Sequence, residues 1–163
     1  KKAFPGLHFQ INLLRPKSTG TVRLKSTNPN EDLQINPNWF SDLSDMDDLV
    51  EGMKHTREVL SKPSLSKIVS EELLPGKDVK NNEDMKESIR NHVQTGHHPA
   101  STCAMGSDNN KLAVLDEKLR VKGIQNLRVV DASSFPDMIS GNINASVIML
   151  AEKASDMILG NLN

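Results

Sequence analysis

The sequence predicts an α+β fold, an antiparallel β-sheet with helices packed on one face. Three observations carry this expectation. Short β-rich runs separated by turn residues fill 7–39, where GTVRLKS (20–26) alternates apolar Val22 and Leu24 with polar Arg23 and Lys25. From Ser44 the apolar spacing changes to that of helices. A continuous β-branched run, NLRVVDAS (126–133), then precedes a final apolar helix.

The elements follow in chain order. LHFQINLL (7–14) is rich in β-formers and ends at Arg15-Pro16, with a turn signal at Ser18-Thr19-Gly20. GTVRLKS reads as a half-buried strand, TNPNED (27–32) as a turn, and DLQINPNW (32–39) as a third extended piece stopped by Pro37. Ser44 is the expected N-cap of the first helix, and Asp45, Asp47 and Asp48 favour its positive end. Met46, Leu49, Val50, Met53 and Val59 form its apolar face to about Lys62, where Pro63 closes it. A short helix is expected over 64–72. A third, capped by Asn81 or Asn82, runs through Met85, Ile89 and Val93. NLRVVDAS has the pattern of a strand buried on both faces. The last helix, 145–159, carries an apolar stripe wide enough to need burial on more than one side.

Composition narrows the functional classes. The 163 residues suffice for one domain with a genuine core, and 36% hydrophobic with 25% charged residues is ordinary for a globular chain. A net charge of −1 gives no electrostatic case for nucleic acid or an anionic membrane. SVIMLA (146–151), the longest apolar run, is far too short to span a bilayer. The single cysteine, Cys103, excludes an internal disulfide and fits a reducing, cytoplasmic compartment. His8, His55 and His92 show no metal-ligand spacing, so no metal is expected. The opening KKAFPGLHFQ lacks an initiator Met and enters a strand-like run at once, which suggests a piece of something larger.

HHPASTCAMG (97–106) concentrates most of the residues capable of chemistry. Its two histidines are either turn residues or hold one imidazole in place, since imidazole exchanges protons near neutral pH. Pro99 restricts the backbone of His98 and so helps fix its ring. Cys103 reads as a small buried hydrophobe, and Ser101 and Thr102 as turn hydroxyls. A Cys–His hydrolase would need a positioned third residue that nothing singles out. In SGNIN (140–144), Asn142 and Asn144 suit a turn and a helix cap. Asp131 suits the turn that ends a strand.

Three blocks in order, LRPKSTGTVRLKS, HPASTCAMG and LRVVDASSFPDMISGNINASVIMLAEKASDMI, cover about Leu13 to Gly160. Together they resemble the carboxy-terminal part of glucose-methanol-choline oxidoreductases, in the choline dehydrogenase-like branch. The resemblance implies FAD as cofactor and an amino-terminal Rossmann half with a Gly-x-Gly-x-x-Gly turn, which the nine scattered glycines here do not form. It therefore implies a substrate-side domain over 1–125, with 126–163 returning to a missing FAD-binding domain, and no turnover by the chain alone. It also implies that His98 is the base that takes the alcohol proton, with His97 supporting the turn. The Asn142 amide would donate to the developing alkoxide. Asp131 and Ala132 would contact FAD, and Asn142, Ile143, Asn144 and Ala145 would lie at the pyrimidine edge of its ring.

The implied partner is a small alcohol, choline or another primary alcohol, oxidised to the aldehyde with hydride passing to the flavin. Choline would need an aromatic cage, and with Trp39, four Phe and no Tyr the cage must come mainly from elsewhere. The apolar last helix leaves a rival reading, a stand-alone module that binds a partner through it. In an excised piece the same surface would favour self-association.

Overall fold

The computed structural model describes residues 6–161, so the outermost positions of the ranges 1–125 and 126–163 lie outside it. Strand β1 (Thr21–Arg23) pairs antiparallel with β2 (Gln34–Asn36), Val22 opposite Ile35. Helices α1 (Ser44–Leu60), α2 (Pro63–Ser66), α3 (Asn82–His92) and α4 (Asn144–Leu159) follow, with a 3-10 turn at Ala132–Ser134. The α+β expectation holds in this form, a small antiparallel sheet accompanied by helices. Contacts divide the chain into two compact units. Among the described residues, one comprises 6–13, 17–19 and 38–94, the other 14–16, 20–37 and 95–161.

The first unit is built on α1 and α3. Met46, Leu49, Val50 and Met53 recur at helical spacing along α1, and their cluster includes Met85 and Ile89 of α3. Ser44 does not cap α1. The cap position is Leu43, without a side-chain bond, while Ser44 opens the helix and donates its N–H and hydroxyl to the Asp42 carboxylate at 2.9 and 2.6 Å. Asn81 does cap α3, accepting the Asp84 N–H at 2.8 Å.

Two expected elements change. The segment 7–13 is not a strand: it forms no ladder, and Ile11 sits so close to α1 that a Cβ at Gly52 would fall 2.7 Å from its Cγ2. The helix expected over 64–72 spans only Pro63–Ser66, and Arg57 ties down the loop farther on. Its guanidinium pairs with Glu72 at 2.9 Å and donates to the Gly76 and Val79 carbonyls at 3.2 and 2.6 Å.

The second unit is centred on Leu115, which is 0% exposed, with Leu119, Phe135, Leu150 and Ala154. Two expectations fail here as well. Val22 is 46% exposed and Leu24 77% exposed, so β1 is not half-buried; two strands of three residues leave their side chains uncovered. The run 126–133 is not a strand buried on both faces. Arg128 makes one antiparallel bridge to Arg120, and the Val129 N–H donates to the Leu119 carbonyl at 3.2 Å. Val129 and Val130 pack on the core from one side, and at Asp131 the chain winds into the 3-10 turn. Among the described residues, no helix is long and apolar enough to cross a membrane.

Candidate active site

The 97–106 motif enters through a tight turn. His97 is left-handed at φ 58°, with its N–H on the Thr95 hydroxyl oxygen at 3.0 Å, and Ser101 is left-handed at φ 69°. His98 and Pro99 between them are exposed. Beyond this turn the backbone is stitched to the 3-10 turn. The N–H groups of Ser101, Cys103 and Met105 donate to the carbonyls of Ala132, Ser133 and Ser134 at 3.2, 2.9 and 3.0 Å. Ala100, Cys103 and Met105 pack on the Leu115 core, which makes the thiol a half-buried packing group.

Asp131 organises the opposite side of that seam. Its Oδ1 accepts both the Ser133 N–H, at 2.7 Å, and the Ser133 hydroxyl. Its carbonyl accepts the Ser134 hydroxyl at 2.6 Å, and Ser134 is fully buried. The carboxylate thus does the structural work of capping a turn. Ala132, one residue on, packs on the core.

The chain then runs from buried Phe135 through an exposed loop to α4. Ile143 occupies the cap position with no side-chain bond, and Asn144 is the first residue of the helix, so neither Asn142 nor Asn144 caps it. The amides of the first turn therefore lack a side-chain acceptor, and that turn carries no acidic residue. In α1 and α3, acids occupy the first turn: Asp45 and Asp47, and Glu83 and Asp84. The positive end of α4 alone among the three long helices is left uncompensated.

One core holds these segments. Ala100, Ala132 and Ile143 all pack on the cluster around Leu115, and His98, Asp131 and Asn142, one or two residues from them in sequence, are exposed. Ala145 and Asn144 are exposed with them at the start of α4. Neither the His98 ring nor the Asn142 amide has a hydrogen-bond partner among the described residues. A surface depression bordered by Asp116, Arg120, Gly123 and Arg128 includes none of the expected site residues.

Sequence reasoning gave no role to Arg15. Its guanidinium donates to the Met138 carbonyl at 2.6 Å and to Asp137 Oδ2 at 3.1 Å, across more than a hundred residues. Nothing in the spacing of LRPKSTG reveals so distant an acceptor.

Known proteins resemble this chain in sequence and in fold. The chain is 40% identical to oxygen-dependent choline dehydrogenase of Photobacterium profundum, over 98% of this chain and 28% of that one. It is also 40% identical to mitochondrial choline dehydrogenase of Homo sapiens, over 93% of this chain and 26% of that one. An FAD-dependent oxidoreductase from Chaetomium thermophilum superposes with a TM-score of 0.85 at 29% identity, over 91% of this chain and 26% of that one. The chain thus spans little more than a quarter of the length of the proteins it matches. Residues 16–151 match the profile described as GMC oxidoreductase, and the chain belongs to the carboxy-terminal portion of that family.

Proposed function

We propose that this chain is the substrate-side and catalytic portion of an FAD-dependent alcohol oxidoreductase of the choline dehydrogenase type. The proposal rests chiefly on one observation: the segments bearing His98, Asp131 and Asn142 are attached to a single core, and all three residues are exposed. Such a surface is suited to being completed by the flavin-binding half. Residues 126–163 would return to that half, and residues 1–125 would form the substrate-side domain. The exposed apolar side chains of α4, including Ile148 and Met149, would meet it, or in its absence another copy of the chain.

The residues present fit a flavin. Asn142, Ile143, Asn144 and Ala145 surround a helix start with unclaimed amides and no acidic residue, which favours negative charge on a ring edge placed there. Asp131 and Ala132 would contact the same cofactor. Bound FAD would supply the acceptor for the hydride lost by the alcohol carbon.

The chain's own residues perform the remaining work. His98 accepts the hydroxyl proton of a small primary alcohol, choline among them, and its ring has no competing hydrogen bond among the described residues. Asn142, with an amide equally free, donates to the oxygen as negative charge builds there. His97 serves the turn that presents His98. Without the flavin-binding half the chain has no turnover.

Replacing His98 by Ala in the complete flavoprotein tests the assignment. Anaerobic flavin bleaching across a panel of primary alcohols that includes choline should slow by about 10²–10⁴-fold, the range of a lost general base. Bleaching at the wild-type rate would remove His98 from the mechanism.

A further inference from the structure

The loop from Phe135 to Ile143 is anchored at its two ends, since both residues pack on the Leu115 core. Between them, Pro136 and Asp137 are exposed, as are Ser140, Gly141 and Asn142. Two local bonds shape the span: the Met138 N–H on its neighbour Asp137 Oδ1 at 2.7 Å, and the Gly141 N–H on the Ile139 carbonyl at 3.0 Å. Neither fixes where the loop lies against the rest of its unit.

Arg15 supplies what those bonds cannot. Its Nη1 reaches both the Met138 carbonyl and the Asp137 carboxylate, the only bonds among the described residues that tie 136–142 to a distant part of the chain. A charged donor on a carbonyl oxygen is a strong form of hydrogen bond, here tempered by water because the Arg15 and Asp137 side chains are 60% and 76% exposed. Oδ1 of Asp137 is committed to the Met138 amide, and Oδ2 receives Arg15, so the guanidinium grips a loop that is already pre-shaped. Because Pro16 follows directly, the backbone that carries Arg15 is itself restricted.

We propose that Arg15 is a positioning residue for the reaction. By holding Met138 and Asp137, it sets the course of the 137–142 loop and with it the place of the Asn142 amide. The inference rests on the reading of Asn142 as donor to the developing alkoxide, and it assigns Arg15 no contact with substrate or cofactor.

The test uses the complete flavoprotein with Arg15→Ala, Arg15→Lys, Asn142→Ala and the double variant Arg15→Ala/Asn142→Ala. Hydrogen exchange of the peptide over 137–142 should quicken roughly tenfold in Arg15→Ala, the equivalent of one lost charge-assisted bond, while exchange over Met46–Val50 stays unchanged. Anaerobic flavin reduction should slow by about the same factor at saturating alcohol, with KM little altered. Arg15→Lys, which retains a cation able to reach the Met138 carbonyl, should recover part of both effects. The double variant should be no slower than Asn142→Ala, since residues that act as one unit do not add. Unchanged exchange in Arg15→Ala would overturn the tether. Faster exchange with wild-type flavin reduction, beside a slow Asn142→Ala, would overturn the positioning role. A wild-type rate in Asn142→Ala would overturn the reading of Asn142, and with it the catalytic half of this inference, even if the exchange result stood.

Discussion

Replacing Asp45 by Asn tests how the first unit is held together. Asp45 is only 2% exposed, yet it bears a carboxylate near the start of α1. Its two oxygens accept the backbone N–H groups of Lys17 and Ser18 at 2.9 and 2.8 Å, pinning the 17–19 segment to the helix. Asn would keep one acceptor but turn an NH₂ toward the other N–H, losing one bond and setting donor against donor. A bond to a charged acceptor contributes about 1.5–3 kcal/mol, so the expected loss is about 2–3 kcal/mol.

The charge adds a pH dependence of known sign. Burial works to raise the Asp45 carboxyl, but the Lys17 and Ser18 bonds outweigh it and hold the group below its usual value. A carboxylate with a depressed folded value contributes stability that is fully present above its unfolded value, about 3.9, and is lost as pH falls through the folded one. The deficit of Asp45→Asn should therefore be constant from neutral pH down to about that value and shrink below it. Urea unfolding followed through Trp39, the single tryptophan and a member of the same unit, measures this directly. A variant as stable as wild type near pH 7, or a deficit that grows on acidification, would refute the reasoning.

Two further expectations concern the second unit. Leu115→Ala empties the centre of its core and should cost about 2–5 kcal/mol by urea titration; a loss under about 1 kcal/mol would mean the cluster is not the unit's main support. Gly20→Ala would drive a Cβ into the Asn36 carbonyl oxygen and to 2.7 Å from that of Pro37, both backbone, so nuclear Overhauser contacts between Val22 and Ile35 should vanish.

What the sequence made legible follows from the range of the forces involved. The α1 and α3 faces and the Asn81 cap depend on residues within one or two turns of each other, and their periodicity was visible. The runs 7–14 and 126–133 went wrong because β-rich composition states a preference for extended backbone but not whether a partner strand lies alongside. Ile11 found a helix surface instead, and Asp131 ended the second run by drawing Ser133 into a turn. At the candidate site, only the family resemblance singles out His98 and Asn142; that Ala100 and Ile143 beside them pack on one core around Leu115 depends on contacts between residues far apart in sequence. Arg15 was invisible for the same reason, since its acceptors lie 122 and 123 residues away.

The seam between the 101–105 segment and the 132–134 turn is made entirely of main-chain groups, and this shapes how the site can vary. Ser101, Cys103 and Met105 each contribute an N–H, which every residue except proline possesses. Substitution at Cys103 and Met105 can thus alter packing and polarity beneath the His98 turn while the hydrogen-bonded frame survives, whereas Ser101, left-handed at φ 69°, resists bulky and β-branched replacements. The frame rests on chemistry that every amino acid but proline shares, so the side chains at Cys103 and Met105 can change without dismantling what holds this part of the candidate site.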